Sequence, residues 1–197
     1  VERVSEQMGI TPRQLLSRCR QFKHGSTIAT NALITREGSR VGLITTRGFE
    51  DTTLIMRGIG RVAGLTEDEI KHQATAVKPD PLVPKDLIVG VTERIDFQGR
   101  VVIPLNLEEV EEALRALVER KGVEALAVNF LFSFINPEHE RKLKELAITL
   151  YGDRNLYISL GSEICPVVRE YARSNTVILN STLGKTVEGY LQGLDAR

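Results

Sequence analysis

Apolar residues along the chain recur at two spacings, every three to four positions and every second position or in short runs, and they divide it into helices and strands. From Val1 to Arg18 the pattern predicts a helix broken at Gly9, restarting with Thr11 as N-cap and Pro12 at the first helical position, and with Leu15 and Leu16 inward. Gln21–Lys23 reads as a short strand, His24-Gly25-Ser26-Thr27 as a polar turn, and Thr27–Arg36 as a helix with Gly38 as its stop. Val41–Thr45 is the next strand, which makes the stretch a βαβ unit. The periodicity fades from Gly48 to Lys85, apart from a short helix capped by Thr66. Lys78-Pro79-Asp80-Pro81-Leu82-Val83-Pro84 must be extended, because proline fixes φ and restrains the residue before it.

The second half is clearer. Leu87, Val89 and Val91 alternate toward Ile95, turn at Phe97-Gln98-Gly99 and return through Val101–Ile103, the pattern of a hairpin. Asn106 caps a helix, with Glu109 as its capping-box partner, Val110, Ala113, Leu114, Leu117 and Val118 as its apolar stripe, and Gly122 as its end. Ala125–Leu131 is nearly continuous in apolar residues, as in a parallel strand covered on both faces. Asn136-Pro137 starts a helix with Leu143, Leu146, Ala147 and Leu150 inward and Gly152 as stop. Leu156–Leu160 is a further strand, and Glu163–Leu194 is helical with breaks expected near Pro166 and Gly184. The expected architecture is α/β, with parallel strands joined by right-handed crossovers and a β-hairpin between two βαβ regions. The expected division is 1–85 and 86–197.

Composition narrows the class. The 197 residues carry 26 basic and 26 acidic side chains, and 42% are hydrophobic, so the chain can build a core and is not of disordered type. The charge balance argues against nucleic acid as an obligate partner, and no apolar run is long enough for a membrane helix. Cys19 and Cys165 make no disulfide framework or zinc motif, and no secretory signal opens the chain, so a cytoplasmic protein with free thiols is expected. Val1–Met8 already reads as the middle of a helix, and the chain is expected to be a piece of a longer subunit.

The strongest candidate for chemistry is His24-Gly25-Ser26-Thr27-Ile28-Ala29-Thr30-Asn31, expected to join a strand end to a helix start. Free N–H groups and the helix dipole favour an anion there; Ser26 and Thr27 can donate to phosphate oxygens, and His24 can donate or act as acid or base. The competing reading makes Ser26 or Thr27 a plain cap and His24 a structural residue. No Walker loop is present, and Gly58-Ile59-Gly60 is only part of a dinucleotide fingerprint. Ser162-Glu163-Ile164-Cys165-Pro166 follows a strand end, and Arg169 and Arg173 can hold an anion on one helical face or belong to a solvated face or an intrahelical pair. Asn136-Pro137-Glu138-His139-Glu140 has metal-ligand residue types, but a helix start explains it, and no metal site is expected. Cys165 is expected to be buried, and His72 carries no signal.

The segment HGSTIATNALITREGSRVGLITTRGFED (His24–Asp51) is similar to the signature of the hydantoinase/oxoprolinase family. Further segments agree in order: KPDPLVPK (Lys78–Lys85), VTERI (Val91–Ile95), FSFINPEHER (Phe132–Arg141) and SEICPVVREYARSNT (Ser162–Thr176). The resemblance implies an actin/Hsp70-like (ribonuclease H-like) ATPase fold, ATP and Mg²⁺ as cofactors, and a second, hydantoinase B-like subunit as partner. It implies phosphorylation of the carbonyl oxygen of a cyclic amide or ketone, followed by hydrolysis or carboxylation. The long Arg57–Lys78 segment is more like the acetophenone carboxylase or hydantoinase branch than the oxoprolinases. Ser26, Val167 and Ser181-Thr182 depart from the usual family residues, and the Asp-x-Gly-Gly-Thr-x-Thr phosphate loop of the first strand is not in the chain. The expected catalytic residues are His24, Thr27 and Asn31; Gly25, Ser26, Thr30, Ser162, Glu163, Arg173, Asn175 and Thr176 are expected to bind substrate or nucleotide. The alternatives are a non-catalytic scaffold or activase-like module of the same fold, and a plain small-molecule binding domain without ATP chemistry.

Overall fold

Residues 125–129, the most continuously apolar run, form the middle of the protein. The computed structural model describes residues 1–21, 23–57, 62, 64–72, 74 and 78–195. In chain order the elements are α1 (Glu2–Gln7), α2 (Pro12–Arg18), α3 (Ile28–Thr35), β1 (Val41–Thr46), α4 (Thr52–Ile55), α5 (Glu67–Lys71), β2 (Ile88–Val91), β3 (Arg94–Ile95) and β4 (Val101–Ile103). They continue with α6 (Leu107–Leu114, prolonged by a π-helical turn over Arg115–Arg120), β5 (Ala125–Asn129), α7 (Glu138–Tyr151), β6 (Tyr157–Leu160), α8 (Gly161–Ile164) and α9 (Glu170–Asp195). Four parallel strands form one sheet in the order β2-β1-β5-β6, and β3 and β4 form a separate antiparallel pair. Because β1 lies between β2 and β5, the stretches before and after residue 85 share one sheet.

Register decides which side chains face which layer. Gly42, Leu126 and Ile158 are aligned across β1, β5 and β6, as are Ile44, Val128 and Leu160. Leu117 packs against Gly42, so this face looks toward α6 and its π turn. The alternate positions, Leu43, Ala127 and Ser159, face α9, whose Asn180 donates to the Ser159 hydroxyl at 2.9 Å. Every residue of β1 and β5 is buried, which is why those runs lack a polar side.

Several expectations change. The strand expected over Gln21–Lys23 has its centre, Phe22, outside the described residues; Gln21 and Lys23 are in no strand, and among the described residues the sheet begins at β1. Residues 88–91 join the main sheet beside β1, and the hairpin is reduced to β3 and β4, because alternation alone does not distinguish a parallel edge strand from a hairpin arm. The hairpin turn is held by the Asp96 carboxylate, which accepts the Gln98 and Arg100 N–H groups at 2.8 and 2.9 Å. Asn106 caps α6 as expected, but Glu109 does not close a capping box; its carboxylate accepts the Thr92 N–H at 2.7 Å instead.

In α7, Leu150 is exposed, and Tyr151 fills the inward position. Leu16 is exposed as well, and no residue of α2 is buried. The helix α3 ends through Arg36 in the left-handed region, while Gly38 serves a close approach to Thr182. Gly184 does not break α9; a Cβ there would lie 2.2 Å from the Tyr157 ring, so glycine lets the helix cross the sheet edge. Gly58, Ile59 and Gly60 lie outside the described residues, as do 61, 63, 73 and 75–77 of the Arg57–Lys78 segment.

Candidate functional site

Parallel strands all point their C-terminal ends to one edge, where α/β sheets bind ligands. Here that edge is polar and buried. β1 ends in Thr46 and β5 in Asn129, one on each face of the sheet.

On the α7 face, the Thr46 hydroxyl donates to Glu93 and accepts the Leu131 N–H at 3.0 Å. The other Glu93 oxygen lies 2.8 Å from His139 Nδ1, and both side chains are almost wholly buried, 0% and 2% exposed. Next to it, Glu140 accepts the N–H of Phe130 at 3.0 Å and both the N–H and hydroxyl of Ser162 at 2.8 and 2.6 Å. Burial pushes the Glu140 carboxyl up, and the hydrogen bonds from Ser162 and Phe130 oppose that shift.

On the α9 face, Arg173 spans the strand end. It donates from Nε to the Asn129 side-chain oxygen at 2.6 Å and through its terminal nitrogens to the carbonyls of Val167 and Phe130 at 2.6 and 2.9 Å. Asn129 in turn donates to the Ser174 hydroxyl at 2.5 Å. Burial lowers the Arg173 pKa, but a guanidinium stays charged in proteins. Gly161 is required beneath this clamp, since a Cβ would lie 2.5 Å from Asn129 Oδ1.

The expected site residues do not gather in one place. His24, Gly25, Ser26, Thr27, Thr30 and Asn31 are exposed and lead into α3, without the strand expected before them among the described residues. The His24 ring stacks on Tyr190 at 5.8 Å and hydrogen-bonds its hydroxyl. Ser26 accepts the Ile28 N–H at 3.3 Å, while Thr27 makes no side-chain cap bond. Ser162 and Glu163 follow β6 as expected; the first binds Glu140, and the second pairs with Lys144 at 2.9 Å. Arg173 is neither on a solvated face nor in an intrahelical pair, since its guanidinium is buried and committed to Asn129 and the carbonyls of Val167 and Phe130.

Asn175 donates to the Tyr171 carbonyl and lines a cleft with Lys78, Pro79 and Asp80. Thr176 bonds the Ala172 carbonyl and, with Ala29 and Gly184, lines an open, mainly apolar groove of about 730 Å³ along α9. Between Arg173 and Tyr190 α9 rises by about 25 Å, so the Arg173 and His24 groups sit at opposite ends of it. Cys165 is half-buried with a free thiol. Asn136-Pro137 does start α7, with Pro137 at the N-cap and Asn136 accepting the Glu138 N–H at 3.0 Å, while His139 and Glu140 turn inward to the sheet edge.

Residue-by-residue reading missed Thr46, Glu93, Asn129, His139 and Glu140. For all but Asn129, which lies in none of them, the signal was the set of segments that carry the family resemblance, because four of those segments reach this edge. His24–Asp51 brings Thr46, Val91–Ile95 brings Glu93, Phe132–Arg141 brings His139 and Glu140, and Ser162–Thr176 brings Arg173. A family model described as "Hydantoinase/oxoprolinase N-terminal region" matches residues 1–150.

The chain belongs to the hydantoinase/oxoprolinase family.

Among curated relatives, this family member is 36% identical over 191 residues to the acetophenone carboxylase gamma subunit of Aromatoleum aromaticum, a match covering 95% of the chain and 26% of the relative. Among solved structures, a nucleotide-free acetone carboxylase, described with the mechanism of ATP-dependent acetone carboxylation, superposes with a TM-score of 0.84 at 28% identity, over 92% of this chain and 26% of that one. The ATP-dependent caprolactamase of Pseudomonas jessenii superposes with a TM-score of 0.80 at 30% identity, over 98% of this chain and 27% of that one. The chain thus spans about a quarter of the length of these relatives. No helix among the described residues is long and apolar enough to cross a membrane.

Proposed function

We propose that this chain is part of an ATP-dependent subunit that activates the carbonyl oxygen of a ketone or cyclic amide, ahead of carboxylation or hydrolysis. The observation that carries the proposal is the 36% identity to a carboxylase subunit across 95% of the chain. The fold-level agreement with an ATP-dependent carboxylase and an ATP-dependent lactamase supports the shared step, carbonyl activation, over either outcome alone.

ATP, when bound, supplies the phosphoryl group that converts the carbonyl oxygen into a leaving group or activated intermediate. The start of α3 fits a phosphate: the first-turn N–H groups of Ala29 and Thr30 have no acceptor within the helix, Thr27 has no cap bond, and nothing crowds Gly25. In this reading Gly25, Ser26, Thr27 and Thr30 contact phosphate oxygens, and His24 and Asn31 donate to a phosphate or carbonyl oxygen. Ser162, Glu163, Arg173, Asn175 and Thr176 are the further residues proposed to bind substrate or nucleotide.

Among the described residues no group of three His, Cys, Asp or Glu side chains is placed to hold a metal; Mg²⁺ bound with ATP needs only one or two carboxylates, the phosphates supplying the other oxygens. The proposed partners are a small carbonyl substrate and a second, hydantoinase B-like subunit, in the cytoplasm. The test is phosphate release from ATP by the full-length protein with its partner subunit, in the presence of acetophenone, acetone, caprolactam or 5-oxoproline. Hydrolysis stimulated about tenfold or more by one of these carbonyl compounds is expected. Hydrolysis indifferent to all of them, and driven instead by a protein partner, would overturn the proposal in favour of an activase.

A further inference from the structure

Above the polar edge lies a cavity of about 230 Å³. Three of its walls are the rings of Phe49, Phe132 and Phe134, the last two 6.0 Å apart and tilted by 35°. Arg94 and Arg169 also line it, together with Glu170. Arg94 lies over the Phe49 ring at 5.6 Å, and the clamped Arg173 lies over Phe134 at 5.0 Å, which fixes that ring against the cavity. Among the described residues Arg94 and Arg169 have no carboxylate partner, so two of the lining residues bring positive charge without a counter-charge of their own. The single carboxylate, Glu170, leaves an excess of positive charge, and the start of α9 adds to it.

Backbone strain is concentrated at the same walls. Phe132 and Arg169 both have φ in the left-handed region, at +58° and +84°, where a side chain other than glycine costs free energy. Both side chains are held against the cavity at that cost. The volume is below the range of drug-sized pockets, about 300–1,000 Å³, so the space suits one ring and not a nucleotide.

We propose that this cavity is a subsite for a small organic monoanion, a single flat ring or compact apolar group between the phenylalanines with its carboxylate held by Arg94 and Arg169. Aromatic walls recognise the apolar body, and the guanidinium forks recognise the planar carboxylate. The proposal stands whether or not the subunit uses ATP.

The test is calorimetric titration of the full-length protein with benzoate, with the neutral isostere benzamide and with inorganic phosphate. Benzoate is expected to bind at least about tenfold more tightly than benzamide or phosphate. Arg94→Gln and Arg169→Gly are each expected to weaken benzoate about tenfold. Arg169→Gly is also expected to raise the melting temperature, because glycine relieves the strained φ; folding of that variant is therefore secure. Equal binding of benzoate and benzamide, phosphate binding with the same arginine dependence while benzoate fails, or benzoate affinity untouched by both substitutions would overturn the proposal.

Discussion

The C-terminal edge of the sheet and the segment His24–Asn31 are both rich in polar residues, and the fold treats them in opposite ways. At the edge, Glu93, Asn129, His139, Glu140 and Arg173 are buried and hydrogen-bonded to one another or to strand ends. In the segment, His24, Ser26, Thr27, Thr30 and Asn31 are exposed, and the rest of the chain holds them through α3 and the His24–Tyr190 contact. A buried charge that loses its partner is costly, whereas an exposed one is solvated. The edge is therefore fixed before any ligand arrives, and the segment is left available to one.

The sharpest way to break this contrast is His139→Ala. It leaves the fully buried Glu93 side chain with the Thr46 hydroxyl alone, and a loss of about 3–5 kcal/mol is expected in denaturant unfolding of the full-length protein. A loss below about 1 kcal/mol would show that the edge tolerates water or rearrangement. Gly184→Ala comes next. The added methyl meets the Tyr157 ring, and about 1–3 kcal/mol is expected, partly recovered by Tyr157→Ala in the same chain. Asn106→Ala removes the side-chain acceptor for the Glu108 and Glu109 N–H groups, and about 1 kcal/mol is expected in the same measurement.

Acid titration sharpens the contrast further. The Thr92 backbone and hydroxyl donors hold the Glu109 carboxyl below the ordinary value of 4.5. Its contribution to stability is therefore present above that value and lost as pH falls through the lowered pKa. The Glu109→Gln deficit in unfolding midpoint should shrink on acidification. Glu140 has the opposite sign: burial raises its pKa, so its contribution is present below the ordinary range and lost as pH rises through the raised value. The Glu140→Gln deficit should shrink as pH rises. The smallest effect on stability belongs to His24→Ala, within about 0.5 kcal/mol at this exposed position, alongside a clear fall in carbonyl-stimulated ATP turnover. Unchanged turnover would remove His24 from the proposed site.

The elements were legible where one residue pattern has one structural meaning. The apolar run of β5, the Asn106 cap and the Gly122 stop, whose φ is +65°, all follow from local sequence. The pattern was ambiguous at 88–91, where alternating Val and Gly suit either a hairpin arm or a parallel edge. At Gly184 the reason for glycine is the Tyr157 ring on another element, which no local rule reveals. The site shows the same limit more strongly. Glu93 and His139 meet across 46 positions, and Asn129 and Arg173 across 44, so their pairing exists only once the sheet has formed. His24–Asn31 drew attention because its polar residues are contiguous, whereas the edge is assembled from segments that are distant in sequence.

The C-terminal edge of the sheet is proposed here as the substrate end of this chain, and His24–Asn31 as its phosphate end. Amide hydrogen exchange on the full-length protein, alone, with Mg-ATP and with Mg-ATP plus carbonyl substrate, tests it most directly. Slowed exchange is expected at residues 24–31 on adding Mg-ATP and at 92–96, 130–134 and 165–173 on adding substrate. Exchange unchanged at both regions, with protection confined to other parts of the subunit, would contradict it.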